Sequence, residues 1–205
     1  GDDICGFFED ARDDLCARWF NLGAFYPFAR NHNFIHSKGH EPWVFPRYTL
    51  PSAKRAITLR YSILRYIYTQ LFLISLNEKG SYFKPVLFSY PDDERSYIDI
   101  DKKVMLGDAF ILFPVLTAST RYIYMDFPYE HWNAFPLGKA FLSKGVNETT
   151  AFNKVALSGK FEDINLFLKG GSVVTEYDVY EQYVINTFGL LTKEIDLMIN
   201  PNDSD

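Results

Sequence analysis

Several features that mark common functional classes are scarce in this sequence of 205 residues. It has two cysteines, too few for a structural zinc set, and its Lys and Arg residues form no cluster longer than a pair. A formal net charge of -5 argues against a nucleic-acid surface, which needs positive charge. No apolar run reaches the roughly 18 residues that would cross a bilayer, so no membrane span is expected.

The motifs of several catalytic classes are missing as well. There is no GxSxG nucleophile motif and no Gly-rich phosphate loop, and Gly170-Gly171 is typical of a tight turn. His32, His36 and His40 are spaced four apart, as three metal ligands on one helix face would be. The Asn, Ser and Gly residues between them favour a loop instead. The sequence therefore predicts no metal site and no cofactor.

Hydrophobic residues make up 47% of the chain, enough to bury a sizeable core without metal or disulfide support. Apolar residues recur at helical spacing over 13–21 and again in a helix of about 25 residues, with Pro51-Ser52 as its start signal and Gly80 at its end. The connection between these helices, residues 26–50, is unusually long and rich in Asn, His, Gly and Pro. Long loops on a scaffold commonly carry function.

After Gly80 the pattern changes to short runs rich in Val, Ile, Phe and Tyr, separated by turn signals. Seven strands are predicted, at residues 85–90, 97–100, 109–116, 122–127, 164–168, 173–175 and 194–199. Strands at this spacing predict an antiparallel β-sandwich. Residues 138–160 are more polar and lack a clear period, so we interpret them as an excursion between strands.

Individual residues leave alternatives open. Cys5 and Cys16 are eleven apart, which fits either a disulfide or two buried thiols. Asn147 and Asn202 each begin an N-glycosylation acceptor pattern. Aromatic side chains that could stack against a sugar ring occur at Phe7, Phe8, Tyr26 and Trp43, but core packing is the default for most of them.

Two long segments carry a resemblance to a known family. They are GDDICGFF at residues 1–8 and CARWFNLGAFYPFARNHN at residues 16–33. Together with EPW at 41–43, FSYPDD at 88–93 and LKGG at 168–171, they resemble glycoside hydrolase family 31, and within it the lysosomal and intestinal α-glucosidase branch. The matches keep the order of the family from residue 1 to about residue 175.

The resemblance implies a fold that is α/β followed by all-β. Members of the family have a (β/α)8 TIM barrel followed by β-sandwich domains. Residues 1–82 would then be the C-terminal portion of the barrel, and 83–190 the proximal antiparallel β-sandwich. Residues 191–205 would start a further β segment or form a tail.

The resemblance also implies an activity, the hydrolysis of α-glucosidic bonds with retention by two Asp carboxylates. Matched residue by residue, His32 would hydrogen-bond hydroxyls of the bound α-linked glucosyl unit, and Phe7 would form an apolar wall. Asp3 and Arg30 would lie beside them as a carboxylate and a pairing cation. The family commonly joins the cysteines matching Cys5 and Cys16, which implies a lysosomal-type or extracellular location on the secretory pathway.

The main departure from the family is the absence of both catalytic Asp residues. The WxDMNE-like nucleophile motif and the acid/base loop do not occur in the sequence. We therefore expect them on an N-terminal portion of the same enzyme, and expect this chain alone to be inactive. The opening Gly1-Asp2-Asp3, with no signal-like leader, agrees with an internal segment. The alternative is a non-catalytic relative that serves as a carbohydrate-binding or structural subunit of a larger assembly.

Smaller departures affect scaffold positions rather than the matched sugar-site residues. Arg65 stands in the long predicted helix where relatives commonly carry Pro. Glu130 and Asn133-Ala134 interrupt an FPxGxWYD-like pattern.

Overall fold

The structure, a computed structural model, describes residues 2–136, 154–176 and 196–199. Its helices are α1 (Asp13–Gly23), α2 (Thr49–Ser62) and α3 (Leu64–Asn77). Its strands are β1 (Phe83–Pro85), β2 (Val104–Leu106), β3 (Phe110–Leu112), β4 (Tyr122–Met125), β5 (Trp132–Ala134), β6 (Val155–Ser158), β7 (Leu166–Lys169), β8 (Val173–Glu176) and β9 (Asp196–Ile199). No helix in these ranges is long and apolar enough to cross a membrane.

The N-terminus of α2 is capped by a residue of α1. The carboxylate of Asp13 accepts hydrogen bonds from the backbone N–H and the hydroxyl of Thr49, both at 2.8 Å. Ser52 does not act as the predicted start signal, since α2 begins three residues earlier and the Ser52 hydroxyl donates to the Phe161 carbonyl at 2.8 Å. A carboxylate at a helix N-terminus satisfies amides that lack partners within the helix, so Asp13 ties α1 to α2.

The long helix predicted after residue 52 is in fact two helices. Ile63, with φ -106° and ψ 15°, separates α2 from α3. The Ser62 hydroxyl donates to the Leu59 carbonyl at 2.9 Å, a local side-chain bond that competes with regular helical pairing. The apolar period continues through the break because Ile63 itself is fully buried, which is why the pattern predicted a single helix.

The central sheet has five antiparallel strands in the order β1-β2-β3-β7-β5. Two-stranded antiparallel pairs, β4 with β6 and β8 with β9, accompany it. All positions of β2 and β3 are buried, because both faces of the sheet are covered. One face packs against α2 and α3 through Leu106, Phe110, Leu112 and Leu168. The other face packs against β4 and β6 through Met105, Ile111, Phe113 and Phe167.

Five predicted strands are confirmed, since β3, β4, β7, β8 and β9 fall on or overlap their predicted ranges. The predicted strand at 85–90 meets β1 only at Pro85, and the one at 97–100 is wrong, because 3-10 turns form instead at Val86–Phe88 and Glu94–Tyr97. The Asp93 carboxylate accepts the Arg95 N–H at 3.0 Å, a local bond that favours a turn. The polar stretch 138–160 contains the unpredicted strand β6, and residues 137–153 lie outside the described ranges.

A loop after β6 fastens the helices to the strands. The Phe161 carbonyl accepts from the side chains of Asn21 at 2.6 Å and Ser52 at 2.8 Å. The Arg18 guanidinium lies over the Phe161 ring at 4.5 Å and donates to the Gly159 carbonyl at 3.1 Å. Burial lowers the pKa of Arg18. Polar groups of α1 and α2 therefore hold this loop in one position.

The buried hydroxyl of Tyr66 makes a second connection between helices and strands. It donates to the Leu106 carbonyl at 2.8 Å and accepts from the N–H groups of Asp108 at 3.1 Å and Ala109 at 3.0 Å. Gly107, at the centre of this turn, has φ +61°, a conformation that favours glycine. Burial raises the pKa of Tyr66, so the hydroxyl keeps its proton and remains a donor.

Candidate functional site

Two chain segments on either side of α1 lie next to each other and run parallel. A single parallel bridge joins Ile4 to Asn31, and the Ile4 N–H donates to the Arg30 carbonyl at 2.8 Å. The Asn31 side-chain amide also donates to the Ile4 carbonyl at 3.1 Å. A parallel pair with a helix as its connection is a βαβ unit, in which the residues after both strands share one edge. Side chains near residues 3–8 and 30–34 are therefore neighbours.

Asp3 and Arg30 form an ion pair across these two segments. The Arg30 Nε atom lies 2.6 Å from Asp3 Oδ1. The Asp3 side chain is mostly buried, whereas that of Arg30 is half exposed. The guanidinium also lies 5.6 Å from the Phe28 ring. Within the described ranges the two Nη groups of Arg30 make no hydrogen bond, so both remain free as donors.

Phe7 and His32 form a second contact between the same segments. Their ring centroids are 5.6 Å apart and the planes are inclined by 37°. The imidazole of His32 is exposed, while Phe7 is half-buried. The four residues matched to the family's sugar site thus lie on adjacent segments as two contacting pairs. This edge presents an apolar ring, an imidazole and a guanidinium to the exterior.

A disulfide joins Cys5 of the first segment to Cys16 of α1. Cys5 and Gly6 have φ of 80° and 96°, and the Gly6 N–H donates to the Asp3 carbonyl at 2.9 Å. This tight turn redirects the chain between Asp3 and Phe7. The disulfide is buried in a small apolar cluster with Ile4, Phe20, Phe45 and Ala53. Of the two alternatives left by the cysteine spacing, the structure contains the disulfide.

The three histidines do not assemble a metal site. The segment that carries them forms no helix before the 3-10 turn at Pro42–Val44, and His32 and His36 are exposed. His40 is buried, and its imidazole lies within 4.8 Å of the sulfurs of Cys5 and Cys16. Those sulfurs are bonded to each other, so they are not thiolate ligands. Burial lowers the pKa of His40, which favours the neutral imidazole.

Sequence reasoning missed the side chains that hold the second segment in place. The Asn33 amide donates to the Lys38 carbonyl at 2.8 Å, and the Lys38 N–H donates to Asp10 Oδ1 at 2.7 Å. The Phe34 N–H donates to the Phe7 carbonyl at 2.8 Å. The cluster of Asn residues between 31 and 33 was the available signal, because Asn side chains often stabilise turns.

The glycosylation candidates Asn147 and Asn202 are outside the described residues. Phe8 and Trp43, for which core packing was the default, are instead exposed at 72% and 70%.

Comparison with known proteins identifies two family domains. Residues 1–70 match the family model of the glycosyl hydrolases family 31 TIM-barrel domain. Residues 79–174 match that of the glycosyl hydrolase family 31 C-terminal domain. The chain is thus the C-terminal portion of a (β/α)8 barrel followed by an antiparallel β-sandwich.

Similar curated proteins are much longer than this chain. A probable maltase-glucoamylase 2 from Homo sapiens is 35% identical over 85% of this chain, which spans 7% of that protein. A lysosomal acid alpha-glucosidase from Tetrahymena pyriformis is 36% identical over 85% of this chain, which spans 20% of that protein. The chain therefore corresponds to a fifth or less of the length of these relatives.

Solved structures give the same result for the fold. A glucosidase II alpha subunit, bound to Tris, matches 99% of this chain and 21% of its own length, with a TM-score of 0.80 and 25% identity. A Flavobacterium johnsoniae family 31 dextranase complexed with glucose matches 98% of this chain and 24% of its own length, with a TM-score of 0.80 and 20% identity.

Proposed function

This chain belongs to glycoside hydrolase family 31, and from that membership we propose that it forms one side of the sugar site of a retaining α-glucosidase. The observation that carries the proposal is the placement of Asp3, Phe7, Arg30 and His32 on two adjacent segments. In a (β/α)8 barrel the active site lies at the carboxyl ends of the strands. Phe7 and His32 follow the Ile4–Asn31 bridge and Asp3 and Arg30 directly precede it, which supports a place near those strand ends.

The four side chains provide complementary contacts for a glucosyl unit. The exposed imidazole of His32 hydrogen-bonds sugar hydroxyls, and the Phe7 ring packs against the apolar face of the sugar. Arg30 and Asp3 hold the two segments in register through their 2.6 Å contact. The Nη groups of Arg30, which make no hydrogen bond within the described ranges, remain available for hydroxyl oxygens.

The catalytic carboxylates of this proposal belong to another part of the same enzyme. Retaining hydrolysis needs two carboxyl groups about 5 to 5.5 Å apart, one as nucleophile and one as acid/base. Asp3 is a single carboxylate already paired with Arg30, and the 205 residues contain no WxDMNE-like motif. We expect both catalytic Asp residues on an N-terminal portion of the protein and no activity from this chain alone.

We assign the substrate as an α-linked glucosyl oligosaccharide or glycan and the location as the secretory pathway. The names of the maltase-glucoamylase and lysosomal α-glucosidase relatives support the substrate class. The Cys5–Cys16 disulfide supports the location, because disulfides persist in oxidising compartments.

His32→Ala in the complete protein tests the proposal. Loss of a hydrogen bond that strengthens in the transition state should lower kcat on an α-glucoside by about a hundredfold. The exposed side chain contributes little to the core, so the melting temperature should stay unchanged. Lys54→Ala, an exposed change on α2, is the matched control and should retain full activity. Unchanged kinetics in His32→Ala would remove the assigned role.

A further inference from the structure

The imidazole of His40 is buried beside the disulfide without a polar partner. Its residue is 3% exposed, and within the described residues neither Nδ1 nor Nε2 makes a hydrogen bond. A ring nitrogen of His40 and the sulfurs of Cys5 and Cys16 all lie within 4.8 Å of one another, and both cysteines are also buried. Buried polar groups in proteins are nearly always paired, so this free imidazole calls for a ligand.

Reduction of the disulfide converts this cluster into two thiols beside an imidazole. A trialkylphosphine supplies the two electrons and takes the oxygen of one water molecule, so the S–S bond gives two S–H groups and a phosphine oxide. Small thiols bring about the same change by exchange and are themselves oxidised to a disulfide. Two thiolates and one imidazole are the ligand set that Zn²⁺ prefers, in a site with three protein ligands.

The positions of the three side chains suit a tetrahedral metal ion. Zn²⁺ binds Cys sulfur at about 2.3 Å and His nitrogen at about 2.0 Å, so the ligand atoms of one site lie about 3.5 to 3.8 Å apart. The Cα atoms of Cys5 and Cys16 are 4.6 Å apart, and rotation about their Cα–Cβ bonds lets the reduced sulfurs separate to that distance. Two thiolates balance the charge of Zn²⁺, so the complex needs no further counter-charge in its apolar surroundings.

The side chain of Asn31 supports this arrangement through two hydrogen bonds. Its Nδ2 atom donates to Cys5 Sγ at 3.5 Å and to the His40 carbonyl at 3.5 Å. An N–H group that donates to sulfur favours the thiolate form, and partners of this kind orient the ligands of a metal ion. Asn31 therefore holds two of the three candidate ligands in place before any metal ion binds.

We propose that Cys5, Cys16 and His40 bind one Zn²⁺ ion when the disulfide is reduced. The two thiols release their protons to solvent on binding, and a water molecule takes the fourth position of the tetrahedron. The disulfide and the metal ion are alternatives, and each fastens the segment that carries Asp3 and Phe7 to α1. This inference goes beyond the proposed function and does not depend on it.

Alkylation of the two cysteines in the complete protein tests the site. The protein is reduced with a trialkylphosphine without air and treated with iodoacetamide, with and without Zn²⁺, while mass spectrometry follows the peptides that carry Cys5 and Cys16. Zn²⁺ should slow the alkylation of both cysteines by about tenfold or more, because a metal-bound thiolate is a poor nucleophile. Co²⁺ in place of Zn²⁺ should give the thiolate-to-metal charge-transfer absorption of a tetrahedral site.

Three variants identify the third ligand. His40→Gln should abolish the protection by Zn²⁺, whereas His36→Gln, the matched control at an exposed histidine of the same loop, should keep it. His40→Cys supplies another ligand and should restore protection, which separates loss of a ligand from loss of the fold.

Two results would overturn the inference. Equal protection in the wild type and His40→Gln would show adventitious binding by the two thiolates alone. An absence of protection in the wild type would show that the reduced cluster does not bind Zn²⁺. Neither result involves hydrolysis of a glucoside, so the proposed function stands or falls separately.

Discussion

Tyr66→Phe removes one oxygen atom and, with it, three hydrogen bonds between α3 and the turn after β2. The hydroxyl donates to the Leu106 carbonyl and accepts from the N–H groups of Asp108 and Ala109. The bonds to Leu106 and Ala109 are buried, so water cannot replace the hydroxyl without entering the core. At about 1 kcal/mol for each bond, the free energy of unfolding should fall by about 3 kcal/mol.

Urea unfolding of the purified protein, followed by tryptophan fluorescence, measures this loss as a lower midpoint with an unchanged slope. Tyr68→Phe, two residues along α3, is the matched control because Tyr68 is 70% exposed. It should change the free energy of unfolding by less than about 0.5 kcal/mol. Equal effects of the two substitutions would refute the view that the Tyr66 hydroxyl joins the helix to the strands.

Three further outcomes are expected. Asp13→Ala should destabilise the protein by about 1 to 2 kcal/mol, because it removes the cap of α2. Asp14→Ala is the control and should be nearly neutral in the same urea titration, because its partner Arg12 is exposed. Reducing the disulfide between Cys5 and Cys16, eleven residues apart, should cost about 3 kcal/mol by the loop-entropy relation and add 2 Da to the peptide pair, about one per sulfur, by mass spectrometry. Burial lowers the pKa of His40, so the unfolded chain binds the proton at a higher pH than the folded chain does. The contribution of His40 to the free energy of unfolding should therefore be fully present above about pH 6.5 and be lost as the pH falls below it. His40→Gln should make the free energy of unfolding depend less on pH in this range, and an unchanged dependence would contradict the assignment.

The elements that the sequence predicted well are those whose signal is local. The helical period of α1 and the apolar runs of β3 and β7 are set by neighbours a few residues away, and all three are present. The start of α2 depends on Asp13, which is 36 residues from Thr49, and no local pattern contains that bond. The break at Ile63 is hidden because the residue there is apolar and buried.

The arrangement of the candidate site was even harder to predict from local sequence patterns. Composition and spacing suggested only an unusual loop, and the assignment of Asp3, Phe7, Arg30 and His32 came from the family resemblance. Their arrangement as two contacting pairs depends on the Ile4–Asn31 bridge, a tertiary contact across α1. The exposure of Phe8 and Trp43 runs against the default that aromatic residues fill the core, and only the folded chain reveals it.

The most direct test of the proposed function is hydrolysis of α-glucosyl fluoride by the natively purified complete protein, at about pH 4.5 and about pH 7, and separately by the 205-residue chain. Mass spectrometry identifies every chain in the active fraction. Activity is expected only where this chain accompanies an N-terminal portion that carries two catalytic Asp residues. An inactive complete protein whose precursor lacks those carboxylates would refute the proposed function and favour a non-catalytic sugar-binding relative.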